Sequence, residues 1–223
     1  MKIKLITLII GGLISCSHSF GQNNKKPYKC GSVPEDFSAV KSNYDNIYKY
    51  LGVSKGENVA SIGVSNGYLE VNIAAFVDSV NWTLQDIDST CLNQIEFNQV
   101  LNYFEKLNGK PIKGEFSLIV GEEEKTNLLN NNYDRILLVN VFHELTNKEA
   151  IMKDISELIN SNGEIVISEN IAKKKGQLHN GCGHVRLYEP DFLMEMQKFN
   201  FRLIKETADR NIPSLKYYTF KKA

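Results

Sequence analysis

Apolar residues recur at two periods along this chain, and the alternation between them predicts the fold. Phe37, Val40, Tyr44, Ile47, Tyr48 and Leu51 share one face of a helix that Gly52 ends. From there short apolar runs alternate with amphipathic stretches. "NVASIG", "WTLQDI" and "FSLIVG" read as strands one to three, with helices expected over 68–77 and 89–107. "YDRILLVNVF" is almost wholly apolar after Arg135, as a strand covered on both faces must be. A helix over 148–159 presents Ile151, Ile155 and Leu158 to the sheet, and Asn162-Gly163 turns into a fifth strand, "EIVISE". A helix over 189–199 follows. "FRLIKET" and "LKYYTFKK" then close the chain without a helix between them, which predicts an antiparallel pair. The pattern predicts an α/β, doubly wound, mainly parallel seven-stranded sheet over residues 35–223. In such sheets ligands sit beyond the carboxyl ends of the strands, so the loops after strands one to four are where chemistry is expected.

The first 34 residues follow a different pattern. Lys2 and Lys4 precede an apolar stretch from Leu5 to Ile14, too short to span a bilayer and of the length of a secretory signal. Leu13-Ile14-Ser15-Cys16 resembles the lipobox of bacterial lipoproteins, which implies cleavage before Cys16 and lipid on its sulfur. Ordinary cleavage near Gly21 is the alternative. Either way, residues 1–21 are a signal segment, the protein is expected to be exported to the periplasm or cell envelope, and polar residues 22–34 form a tether.

Composition narrows the partners. Lys plus Arg and Asp plus Glu each number 26, so the net charge is zero, and no basic stripe suggests a nucleic-acid partner. Beyond the signal three cysteines remain. Cys30 with Cys182 is a possible disulfide in an oxidising compartment, and Cys91 is expected to pack as a small apolar side chain. "HNGCGH" gathers His179, Cys182 and His184 in one loop. A metal site would need them to converge, with a further ligand such as His143 or Cys30. The expectation is instead a glycine-flexible lid without metal.

"SIGVSNGYLE" supplies the first of the four loops. A nicotinamide-dinucleotide turn, G-x-G-x-x-G, would need glycines where Ser65 and Tyr68 stand. Aligned to the G-x-G-x-G turn of class I methyltransferases, the chain offers Gly63, Ser65 and Gly67. A plain strand-to-helix turn capped by Ser65 or Asn66 is the simpler reading. Asp86 ends the second strand, where an acid can accept from both ribose hydroxyls, with Asp88 two residues on and Ser89 able to cap the next helix. Glu122, Glu123 and Glu124 follow the third strand. The block from Asn130 to Asn170, with Tyr133-Asp134, His143-Glu144, Leu158, Gly163 and Glu169, and the later "GHVRLYEPDFLMEMQKFNFRLIKE", make the chain resemble the S-adenosylmethionine-dependent methyltransferases of the class I, Rossmann-like fold.

That resemblance implies S-adenosyl-L-methionine as cofactor, held by Gly63, Ser65, Gly67, Asp86, Glu122 and Asn140. It implies methyl transfer to a small-molecule acceptor, with His143 or His184 as base where the acceptor carries a proton. Ser61 stands where the family often has an acid, and Ser161-Asn162-Gly163 replaces its proline-glycine-glycine turn. His143-Glu144 is not a zinc-protease motif, because Asn147 takes the place of the second histidine. Since this cofactor is made in the cytoplasm, a non-catalytic envelope ligand-binding protein that keeps the fold is the rival expectation.

Overall fold

A computed structural model describes residues 26–44, 47–129, 132–179 and 182–223. The signal segment and Cys16 lie outside these residues. Seven strands form one sheet in the order β3-β2-β1-β4-β5-β7-β6. They are β1 (Asn58–Ile62), β2 (Val80–Asp86), β3 (Gly114–Val120), β4 (Tyr133–Val139), β5 (Ile159–Asn170), β6 (Phe201–Ala208) and β7 (Leu215–Lys222). Neighbours among β1 to β5 pair parallel, while β7 runs antiparallel to both β5 and β6.

Alternation along the central strands explains the two layers. Leu137 of β4 and Val166 of β5 point into a core with Val71, Trp82, Phe97 and Phe104. Their neighbours Ile136, Leu138, Ile165 and Ile167 point the other way, toward Met152, Ile155, Phe192 and Phe220. A strand apolar at every position can bury both faces, and this is what the unbroken run in β4 encodes.

The helices are α1 (Phe37–Tyr44), α2 (Ile47–Leu51), α3 (Tyr68–Ala74), α4 (Gln94–Asn108), α5 (Lys148–Leu158) and α6 (Glu189–Lys198). The single helix expected over 37–51 is therefore two. The helix expected from Ser89 starts five residues later. Asn93 caps it, its side chain accepting from the Ile95 and Glu96 amides, while the Asp88 side chain holds Thr90 in a separate turn. Ser161-Asn162-Gly163 does not precede β5 but lies within it, at a shift of register against β4. Gly163 suits this bulge because a Cβ there would come within 2.8 Å of the Tyr133 carbonyl oxygen.

Two expectations near the amino terminus are overturned. Residues 26–34, expected as a tether, are docked on the domain. Tyr28 is buried against Tyr103 and Phe104, and the Asn66 side-chain amide donates to the Lys29 and Cys30 carbonyls. The backbone of this segment finds partners in the turn before α3 and on α4, so polarity alone did not mark it as free. The disulfide joins Cys30 to Cys91, not to Cys182, with Cα atoms 6.0 Å apart. Cys182 carries an exposed thiol, and Cys91 is not a packed apolar group.

Between β3 and β4 the described residues contain no helix. The sheet face beneath is left as a polar groove of about 440 Å³. Two pairs of its polar groups meet: Asn81 donates to Asn58 and Tyr133 to Thr83.

Candidate functional site

The carboxyl ends of β1 to β4 converge on a cleft of about 250 Å³. Gly63, Ser65, Asp86, Glu122 and Asn140 all line it. Three of them adopt positive φ, 71° at Gly63, 57° at Ser65 and 57° at Asn140. For the serine and asparagine this is a sparsely populated conformation that the surroundings must enforce. At Ser65 the enforcement is visible. Its amide donates to Asp86 Oδ2 at 2.6 Å, tying the first loop to the second, and Asp86 Oδ1 accepts from the Asp88 amide at 2.8 Å. Each Asp86 oxygen thus holds the loop with one lone pair and keeps another for a ligand.

Gly67 is elsewhere. It precedes α3 with φ of 78°, and a Cβ there would meet Leu84 at 2.7 Å. It is required by helix–sheet packing and not by approach to a ligand. Neither Ser65 nor Asn66 is the helix N-cap, although Asn66 Oδ1 accepts from the Tyr68 amide.

Of the three consecutive glutamates, Glu122 and Glu123 line the cleft. Glu124 turns away and accepts from Asn147. Glu144 completes the acidic lining, and Ile87, 57% exposed, provides an apolar wall with Val141 and Leu145. Neither lysine nor arginine lines the cleft.

Beneath the first turn lies a group that the sequence did not single out. Glu70 of α3 is buried and accepts from Ser61 Oγ at 2.6 Å, while its Oε2 has no partner among the described residues. Burial pushes this carboxyl up to about 7. Ser61 stands where the resemblance led us to expect an acid, and Glu70 brings a carboxyl to it from the following helix. Only the one-turn register of α3 against β1 creates this pair, so no motif could have announced it.

The two histidines expected as bases are placed differently. His143 lies in a 3₁₀ turn (Phe142–Glu144) with its side chain 1% exposed. Its Nδ1 is 2.9 Å from Glu169 Oε2, and its backbone amide donates to Glu169 Oε1 at 3.1 Å. Hydrogen bonding to the Glu169 carboxylate raises the imidazole to about 9. His184 is exposed and is not among the cleft-lining residues. Its carbonyl accepts from the His179 amide. The expected hinge residue Gly181 lies outside the described residues.

No family profile and no curated protein matches the sequence. Solved structures do match the fold. The glycopeptide N-methyltransferase MtfA complexed with sinefungin superposes with a TM-score of 0.62 at 12% identity, over 87% of this chain and all of that one. A SAM-dependent methyltransferase from Aquifex aeolicus gives 0.58 at 16%, over 84% and 98%. The [4+2]-cyclase SpnF gives 0.61 at 11%, over 87% and 86%. The chain therefore has the class I methyltransferase fold. The cyclase among these structures shows that the fold does not dictate one reaction.

Proposed function

We propose that the cleft binds S-adenosyl-L-methionine and that the protein transfers its methyl group to a small-molecule acceptor. The observation that carries this reading is the charge of the lining. Four carboxylates, Asp86, Glu122, Glu123 and Glu144, surround an apolar wall, with neither lysine nor arginine to balance them. Such a field repels the pyrophosphate of a dinucleotide and attracts a ligand of net positive charge, which a sulfonium with an amino-acid end is. When bound, that cofactor supplies an electrophilic methyl group on sulfur.

The chain's own residues supply recognition. Asp86 has spare lone pairs for the two ribose hydroxyls, Glu122 or Glu123 for an exocyclic amine, and Ile87 an apolar face for the base. Ser65 and Asn140, held at positive φ, bring backbone close to the ligand. Positioning of the acceptor in line with the methyl is the main catalytic demand. The zero net charge supports a small acceptor over a nucleic acid.

The protein is also proposed to be exported, with lipid on Cys16 attaching it to the membrane. The Cys30–Cys91 disulfide supports an oxidising compartment. Among the described residues no helix is long and apolar enough to cross a membrane. Intact Met1 on a cytoplasmic protein, read by whole-protein mass spectrometry, would sink this part.

Calorimetric titration of the full-length protein with S-adenosylmethionine and S-adenosylhomocysteine tests the cleft. Affinity tighter than roughly 100 μM, about −5.5 kcal/mol, is expected. No heat at millimolar ligand would overturn the reading.

A further inference from the structure

We propose that His143, His179 and Cys182 form a binding site for a borderline divalent transition ion, with zinc as the best match. Beside the cleft the three side chains present one ligand atom each, all within 4.8 Å of one another. Cys182 Sγ is 3.4 Å from His143 Nε2 and 3.5 Å from His179 Nδ1. Zinc bonds of roughly 2.3 Å to sulfur and 2.0–2.1 Å to nitrogen, at a tetrahedral angle, place sulfur and nitrogen about 3.5 Å apart. The two sulfur–nitrogen separations match that value.

The supporting structure is already in place. Glu169, itself buried at the end of β5, holds His143 Nδ1 and fixes the ring so that Nε2 faces the cluster. A carboxylate behind a histidine ligand is the usual means of setting its orientation and basicity. On the other side, backbone bonds hold the residues flanking His179 and Cys182. Leu178 bridges Val185, the His179 amide donates to the His184 carbonyl at 2.8 Å, and the Gly183 amide returns to the His179 carbonyl at 3.0 Å. The ligand set thus differs from the one the loop "HNGCGH" suggests. His143 takes the place of His184, and a buried residue from after β4 joins two from the loop.

A hydrogen-bonded thiol and imidazole backed by Glu169 would make a nucleophilic triad instead. That arrangement needs one imidazole, and here two approach the same sulfur. The fourth position has a candidate in Glu144, whose Oε1 is 3.6 Å from His143 Nε2 and which also lines the cleft. With Glu144 the set has four protein ligands, the number of a closed tetrahedral zinc site.

This proposal rests on its own residues and not on the cofactor reading, and the test separates them. Full-length protein with Cys30–Cys91 intact is stripped with a chelator, checked by circular dichroism, and titrated with zinc chloride. One equivalent is expected. Cys182→Ser and His179→Ala should each lose at least tenfold in affinity. Glu169→Gln, which keeps all three ligands, should weaken binding roughly 10- to 100-fold. His184→Ala should keep the zinc. Cobalt(II) should show thiolate-to-metal charge-transfer absorption that Cys182→Ser abolishes, and zinc should protect Cys182 from iodoacetamide. Failure of folded wild type to take up zinc, uptake unchanged in Cys182→Ser and His179→Ala, or equal alkylation with and without zinc would each overturn the site. S-adenosylhomocysteine titration of the same samples reports on the cleft separately.

Discussion

The two ends of the central strands solve the same problem in opposite ways. At the amino end the charged groups close on one another. Arg135 of β4 meets Glu57 through two nitrogens at 3.2 and 3.3 Å and Glu164 at 2.8 Å, and Lys221 approaches Glu164 from β7. Asp134 accepts from the Asn58 amide and the Asn160 side chain. At the carboxyl end four carboxylates surround a cleft without a cationic partner in its lining, and buried Glu70 Oε2 and Gln85 Oε1 lack partners among the described residues. Gly63, Ser65 and Asn140 line the cleft at positive φ. One end is spent on stability. The other leaves polar capacity open, which is what a binding site requires and what stability alone would remove. What holds the open end is covalent: the disulfide ties the amino-terminal segment to the loop after β2.

The disulfide should therefore carry the largest single effect. The bridged residues are 61 apart in sequence, for which chain entropy gives about 4 kcal/mol. The Cys30→Ser, Cys91→Ser double variant is expected to lose that much stability in urea. An unchanged midpoint would mean that the docked segment holds the open end without it. Next comes the closed end. Arg135→Ala leaves Glu57 and Glu164 without their shared cation, at a cost of about 3 kcal/mol. Because the change is at the opposite edge, ligand affinity should stay within about twofold while the urea midpoint falls. Loss of affinity equal to loss of stability would erase the distinction between the ends.

Asp86 and Asp88 sharpen the contrast within the open end. Asp86→Ala removes both the Ser65 anchor and the expected ribose acceptor, so S-adenosylhomocysteine binding should weaken roughly 10- to 150-fold, about 1.5–3 kcal/mol. Asp88 is turned to Thr90 and does not line the cleft. Asp88→Ala should change affinity less than about threefold. Equal effects in calorimetry would place the ribose elsewhere.

How much of this was legible in the sequence follows from the range of the interactions involved. Alternation and apolar runs are local, so the strands, their order of appearance and the antiparallel β6–β7 pair could be read directly. The cleft residues sit at strand ends, where topology fixes their location, and so Gly63, Ser65, Asp86, Glu122 and Asn140 could be named. Pairings made by tertiary register were hidden. Cys30 meets Cys91 because residues 26–34 dock on the domain, and His143 meets Cys182 across 39 residues of chain. Glu70 was hidden for the same reason, nine residues along the chain from the serine it meets.

Glu70 offers the smallest expected effect and the finest test of the comparison. In the unfolded chain its carboxyl titrates near 4.5, and in the folded protein burial raises it to about 7. Folding therefore takes up a proton between those values. The protonated form is favoured in the fold below about 4.5, and this contribution is lost as pH rises through about 7, after which the group adds no further slope. Glu70→Gln keeps the shape, cannot ionise, and can still hydrogen-bond Ser61. It should be more stable than wild type at pH 8 by on the order of 1–3 kcal/mol, and nearly equal to it at pH 4.5. Urea midpoints at the two pH values decide this, and parallel pH profiles would show that the buried carboxyl costs nothing. If the carboxylate is kept for the amino group of the cofactor, the same substitution should weaken S-adenosylhomocysteine binding while stabilising the fold. Stability gained and affinity lost in one variant is the outcome that an end kept open for a ligand demands.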